Sequence, residues 1–240
     1  KLRCNFKMEE INVLTKTDNN KSYNIILDNS YVNLANKLKE LYPEKVKVCI
    51  ITDSNVAPLY LEQLKSAVSD VFSKVHDFTF EAGEESKNLD VINEAYEGLI
   101  DHHFNRKDVL IALGGGVTGD MTGYIAATYM RGIDFIQVPT TLLSMVDSSI
   151  GGKTGVDYKQ YKNMIGAFKM PRLVYINTSV LKTLSDLQFA SGMAEVLKAG
   201  LLKDANFYEW TINNFLEIND KNEEILTNMI RKSIEIKKFI

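Results

Sequence analysis

A chain of 240 residues with 45% hydrophobic side chains is long enough for one large domain, or for one domain and part of a second, and apolar enough to bury a core. Its 28 Lys and Arg are matched by 31 Asp and Glu, for a net charge of -3, so neither a nucleic acid nor a membrane is expected as a partner. Cys4 and Cys49 show no metal or redox spacing and do not suggest a disulfide framework, and no apolar run reaches spanning length, which predicts a soluble, cytoplasmic protein.

In chain order, Val46 to Thr52 reads as a strand, Ala57 to Phe72 as a helix, Val75 to Phe80 as a strand, Val91 to Ile100 as a helix and Val109 to Leu113 as a strand. Val91, Ala95 and Leu99 recur at helical spacing, with Ile92 and Ile100 widening the stripe. The uninterrupted run 109–113 suits a strand buried on both faces. This alternation predicts an α/β fold, a Rossmann-like doubly wound parallel sheet. A glycine-rich turn, Gly114 to Asp120, leads into a helical run from Met121 to Met130, and Ile133 to Val138 forms the next strand. After Thr183 the character changes. Ser185 and Gln188 read as a capping box, and nearly everything beyond has helical periodicity. The expected domains are therefore 1–184, nucleotide-binding, and 185–240, the start of an all-helical domain. Its last helix carries Ile225, Met229, Ser233, Ile236 and Ile240 and has no terminating Gly, Asn or Pro, so the domain is expected to be cut mid-helix.

The turn at Gly114 is where a phosphate site belongs, because bare amides at a helix N-terminus attract anions. Gly114, Gly116 and Gly119 satisfy the dinucleotide spacing, yet the acidic residue expected at the end of the next strand is missing and Asp134 falls at its start. On pattern alone, a tight turn without a ligand explains the glycines equally well, and Asp120, in the first helical turn, could serve only the helix dipole. Thr140 and Thr141, after Pro139, suit an N-cap. Asp147 to Gly155 gathers a carboxylate, hydroxyls, glycines and Lys153 in a loop able to approach a phosphorylated or polyhydroxylated ligand. It is no P-loop, since Asp147 stands where the first glycine would be. Lys162 and Asn163 read as surface residues at a turn. Glu195, with Lys198 one turn on, is either an intrahelical pair or a metal carboxylate. His76, His102 and His103 all precede the glycine turn, and the last two read as helix-end residues, so no His-rich zinc site is expected within this chain.

Taken together, Gly114 to Asp120, Arg131-Gly132, Gln137 to Leu143, Val146 to Gly155, Lys162-Asn163 and Gly192 to Lys198 resemble, in order and spacing, the signature series of 3-dehydroquinate synthases. Other sugar-phosphate cyclases share much of it, and Asp147 to Thr154 resembles the dehydroquinate branch most. The resemblance implies NAD bound by Asp53, Asn55, Glu84, Lys87, Gly115, Gly116, Asp120, Thr140, Thr141, Lys162 and Thr183. It implies that Arg131, Asp147, Lys153, Asn163, Lys198 and Lys237 face a phosphorylated sugar-acid substrate, and that Glu195 is one ligand of a divalent metal, zinc or cobalt. The other two ligands are implied to be histidines beyond Ile240, so this chain alone is expected to be inactive. A homodimer is implied as well. The implied reaction is closure of a phosphorylated heptulosonate to 3-dehydroquinate with loss of phosphate and no net redox change. A related cyclase, a polyol dehydrogenase or a non-catalytic nucleotide-binding module are the alternatives. The chain departs from the resemblance at Asp157, Tyr161, Asn177 and Ser185, where Asn, Gly, Asp and Pro are usual.

Overall fold

The computed structural model describes residues 8–13 and 22–238; Cys4 and Ile240, named above, lie outside them. The strands are β1 (Glu9–Val13), β2 (Tyr23–Asp28), β3 (Lys47–Asp53), β4 (Lys74–Phe80), β5 (Val109–Gly114), β6 (Asp134–Pro139), β7 (Lys153–Tyr158), β8 (Tyr161–Phe168) and β9 (Leu173–Asn177). The helices are α1 (Leu34–Leu41), α2 (Glu62–Val68), α3 (Leu89–Asp101), α4 (Gly116–Thr128), α5 (Asp186–Lys203), α6 (Ala205–Asn213), α7 (Phe215–Asn219) and α8 (Glu223–Lys237).

Seven strands form one sheet in the order β1-β2-β9-β6-β5-β3-β4, parallel throughout except for the antiparallel edge pair β1-β2. Pleating sends alternate side chains to opposite faces, so each central strand feeds two cores. Val48 and Ile50 of β3, Ile111 and Leu113 of β5, and Ile136 and Val138 of β6 pack on the face that also receives α1, α2 and the C-terminal helices. Cys49, Ile51, Leu110 and Phe135 pack on the other, against α3 and α4. The predicted α/β, Rossmann-like architecture with a helical region after it is the one observed.

Several expectations shift. The helix expected over 57–72 is a π-turn, Ala57–Leu61, running into the short α2, with Pro58 at its start. In α3 the stripe is Ile92, Ala95 and Leu99, while Ile100 points to solvent. Helix α4 begins at Gly116, five residues before Met121, because its first turn needs only backbone and small side chains. Asp120 is therefore in the second turn, not the first. The supposed loop after Gly152 is an antiparallel hairpin, β7-β8, in which Gly155 faces Gly166. A Cβ on Gly155 would lie 2.6 Å from the carbonyl oxygen of Ile165, so close strand approach is what these glycines permit. Ser185 caps α5 by accepting from the Gln188 amide, as predicted. In α8 the core face is Leu226, Met229, Ile230, Ser233 and Ile234; Ile225 and Ile236 only flank it.

Strand order reverses between β3 and β5: the chain leaves β3 toward β4 on one side, then returns to place β5, β6 and β9 on the other. In open parallel sheets the crevice beyond the carboxyl ends at such a reversal is where ligands sit. Asp53 and Gly114 are the last residues of those two strands.

Candidate functional site

The crevice opens into a cleft of about 700 Å³. Asp53 and Asn55, Glu84 and Lys87, Gly115, Gly116 and Asp120, Thr140 and Thr141 line it from the sheet side, and Thr183 from the approach to α5. Asp53 is held firmly: one carboxylate oxygen accepts the amides of Asn55 and Val56, each at 3.0 Å, and the other accepts the Thr118 hydroxyl at 3.2 Å. The glycine turn is bare for a reason. A Cβ on Gly115 would lie 3.2 Å from Thr141, and one on Gly116 3.2 Å from Ser148, filling the space where α4 begins. Thr140 lines this wall, and its hydroxyl is buried with no hydrogen-bond partner among the described residues, an unsatisfied group that a polar ligand would suit. Helix α5 closes the far side. Gly192 brings it so close that a Cβ there would be 2.7 Å from the Leu143 amide nitrogen.

A second cleft, of about 900 Å³, adjoins the first and shares Asp120, Asp147 and Ser148 with it. Its other polar lining includes Lys153 from β7, Asn163 from β8 and Lys237 from α8. Lys237 lies 2.5 Å from Asp147. Lys87, with only 5% of its side chain exposed, donates to Asp120 and to the side-chain oxygen of Asn163, each at 2.6 Å. Burial raises the Asp120 pKa, and the hydrogen bond and charge of Lys87 pull it back down.

Four expected site residues stand apart. Lys162 does not line the first cleft, although its ammonium lies 3.3 Å from Glu84 at the rim. Arg131 sits exposed beyond α4 in a left-handed run with Met130 and Gly132 and lines neither cleft. Glu195 and Lys198 pair with each other along α5, at 3.1 Å, and also line neither. No group of three or more His, Cys, Asp or Glu among the described residues is placed to hold a metal, so Glu195 alone does not make a metal centre. His102 caps the end of α3 and His103 follows with φ of 54°, as their helix-end reading predicts.

Sequence reasoning missed three contributors. Thr118, inside the glycine turn, orients Asp53; its signal was a β-branched hydroxyl among glycines. The Asp157 carboxylate accepts from the Asn163 backbone N–H at 2.7 Å. Tyr23, on a strand the apolar pattern left unassigned, lines the second cleft and accepts from the Gly151 amide at 3.1 Å.

A glycine turn and a lysine-lined cleft sharing one wall do not by themselves name a ligand, and similarity to known proteins narrows the choice. Residues 77–191 match the family model of the 3-dehydroquinate synthase N-terminal part, and residues 192–240 match that of its C-terminal part. The chain belongs to the 3-dehydroquinate synthase family. It is 42% identical over 231 residues to the 3-dehydroquinate synthase of Nitrosomonas europaea, an alignment covering 96% of this chain and 62% of that one. The chain thus spans about three-fifths of that relative's length. Among solved structures it is similar to 2-deoxy-scyllo-inosose synthase complexed with carbaglucose-6-phosphate, NAD+ and Co2+, with a TM-score of 0.85 and 26% identity over 97% of this chain and 62% of the other. It is also similar to 2-epi-5-epi-valiolone synthase from Streptomyces hygroscopicus with NAD+ and Zn2+ bound, with a TM-score of 0.82 and 25% identity over 94% and 62%. Among the described residues no helix is long and apolar enough to cross a membrane.

Proposed function

We propose that the chain is the greater part of a cytoplasmic, homodimeric 3-dehydroquinate synthase, which converts 3-deoxy-D-arabino-heptulosonate 7-phosphate to 3-dehydroquinate and phosphate in the shikimate pathway. Residues 1–184 are its NAD-binding domain and 185–240 the beginning of its helical metal- and substrate-binding domain. The single observation that carries this reading is the shared wall. Asp120, Asp147 and Ser148 border both clefts, so a dinucleotide end in the first meets a substrate in the second.

The residues present fit NAD. Asp53 presents a preorganised carboxylate to a ribose, the Gly115-Gly116 turn presents amides to a pyrophosphate, and Thr140, with its unsatisfied hydroxyl, belongs to the wall of the same cleft. When bound, NAD supplies a hydride acceptor that is regenerated within the cycle. For the metal, these residues supply at most the Glu195 carboxylate, and no step is assigned to it. In the second cleft Lys153, Lys237 and the Asn163 amide offer two cations and a donor to a substrate bearing a carboxylate and a phosphate. Asp147, 2.5 Å from Lys237, fixes that cation against the wall next to the cofactor cleft and is itself placed to exchange a proton with a substrate hydroxyl. In this reading Arg131 and Lys198 belong to the same substrate site and Lys162 to the cofactor site, although none of the three lines its cleft in this structure.

The test is full-length protein supplied with NAD, zinc and the heptulosonate phosphate. Phosphate release without accumulation of NADH is expected. Protein that binds NAD and zinc yet releases no phosphate would overturn the reading, and steady NADH production would reassign it as a polyol dehydrogenase.

A further inference from the structure

Lys87 has a place in the fold that cofactor binding does not account for. It lies just after the short 3-10 turn Glu84–Ser86, on the sheet side of the first cleft, yet it reaches across to the β7-β8 hairpin through three hydrogen bonds that close into a ring. Its ammonium donates to the Asn163 side-chain oxygen at 2.6 Å, the Asn163 backbone N–H donates to an Asp157 carboxylate oxygen at 2.7 Å, and the Asp157 backbone N–H donates to the Lys87 carbonyl at 2.8 Å. Asn163 is held with φ of 57°, a left-handed conformation that asparagine tolerates better than most residues. The same ammonium also donates to Asp120, which borders both clefts.

An ammonium can only donate, so it forces the oxygen of the Asn163 amide, not its nitrogen, to face Lys87. The amide NH2 is then left without a partner among the described residues, on an exposed side chain lining the second cleft. We propose that Lys87 is a positioning residue for the substrate cleft: it sets the orientation of the Asn163 amide so that a donor faces the substrate, and joins that donor to Asp120 on the cofactor wall. The substrate group served is an oxygen acceptor, a carboxylate, phosphate or hydroxyl oxygen of the sugar acid. The proposal rests on the functional reading above for the identity of that substrate, while the ring itself is independent of it.

Four variants of the full-length protein test it: Lys87→Met, which keeps length and loses charge, Asn163→Ala, the double variant, and Asn163→Asp. At saturating NAD, Lys87→Met and Asn163→Ala are each expected to raise the KM for the heptulosonate phosphate about tenfold, with kcat within about twofold, and the double variant to be no worse than either single one. If the two effects multiply, or if Lys87→Met weakens only NAD binding measured by calorimetry, Lys87 is a cofactor ligand and the proposal falls. Asn163→Asp keeps a partner for Lys87 and so keeps the fold, but it replaces the donor with an acceptor. Its KM is expected to rise at least as far as that of Asn163→Ala, and an unchanged KM would overturn the orientation argued here. If the wild-type protein turns over no sugar phosphate, the functional reading fails, and the ring is still tested by amide hydrogen exchange. Lys87→Met is expected to speed exchange at the Asp157 and Asn163 amides, and unchanged rates there would overturn the proposal.

Discussion

Lys237, at the end of α8, lies 2.5 Å from Asp147, in the segment that leads from β6 to the hairpin. This contact ties the last helix to the sheet domain at the wall shared by the two clefts. Both side chains are about one-third exposed, so solvent screens the pair and its worth is modest, about 1 kcal/mol or less. Lys237→Met is therefore expected to lower the melting temperature by no more than about 2–4 °C. Asp147→Asn should cost less, because the amide still accepts from the ammonium. The double variant should be no less stable than Lys237→Met, a coupling that thermal melts of the four proteins measure.

Strands β3, β5 and β6 were legible in the sequence because they are buried on both faces and read as short apolar runs such as Val109 to Leu113, whereas β9, buried just as fully, went unassigned. The first cleft was legible for a related reason: backbone amides at a strand-to-helix turn need glycine, and ten of the residues expected to hold a cofactor line that one cleft. The hairpin was hidden. Tyr161, Lys162, Asn163 and Met164 are all exposed, so β8 lacks the alternation that marks a half-buried strand. In the segments 8–13 and 22–41, also unassigned, β1 is only partly buried and α1 is two turns long, while β2 is buried and was missed all the same. The ring through Lys87 was beyond reach, since its members are separated by 76 residues and meet only through the fold.

Two glycines separate folding from binding. A Cβ on Gly192 would meet backbone, the Leu143 amide nitrogen at 2.7 Å, which cannot swing aside. Gly192→Ala is expected to cost about 1–3 kcal/mol by overpacking the α5 contact. A Cβ on Gly116 would meet only the Ser148 hydroxyl at 3.2 Å, which can rotate. Gly116→Ala should melt close to the wild-type temperature but bind NAD at least about tenfold more weakly, because the methyl enters the cleft where a phosphate approaches the amides. Calorimetric titration with NAD beside a melt distinguishes the two effects, and a Gly116→Ala protein with unchanged affinity would remove the turn from the cofactor site.

His76 gives stability a pH dependence. It stacks on His102 with ring centroids 4.1 Å apart, with Phe104 edge-on, and its Nε2 is buried without a partner among the described residues. Burial lowers its pKa first, followed by the charges of His102, Lys47 and Lys74, while Asp77 opposes them. A histidine whose folded pKa is depressed binds its proton more readily when unfolded. Its contribution is therefore complete above the unfolded pKa, about 6.5, and is lost as pH falls below that value toward the folded pKa. Chemical denaturation at pH 7.5 and pH 5.5 should show the loss, and His76→Phe should reduce it. An equal slope in the variant would mean that other groups set the acid limit.

Glu195 and Lys198 allow the metal assignment to be tested without turnover. Their ion pair runs along one face of α5, with 32% and 61% of the side chains exposed, so it adds little to stability. A carboxylate held only by such a pair is free to exchange its lysine for a divalent cation, which binds oxygen ligands more strongly than an exposed ammonium does. Glu195→Gln removes the negative charge and leaves the helix intact. The expected outcome in full-length protein is a melting temperature near that of wild type in the presence of chelator, together with loss of most of the bound zinc, read by elemental analysis after dialysis. Lys198→Met is expected to do the opposite with respect to metal, retaining zinc while weakening substrate binding. Zinc retained in full by Glu195→Gln would place the metal on other residues and leave this pair as a helix-surface contact.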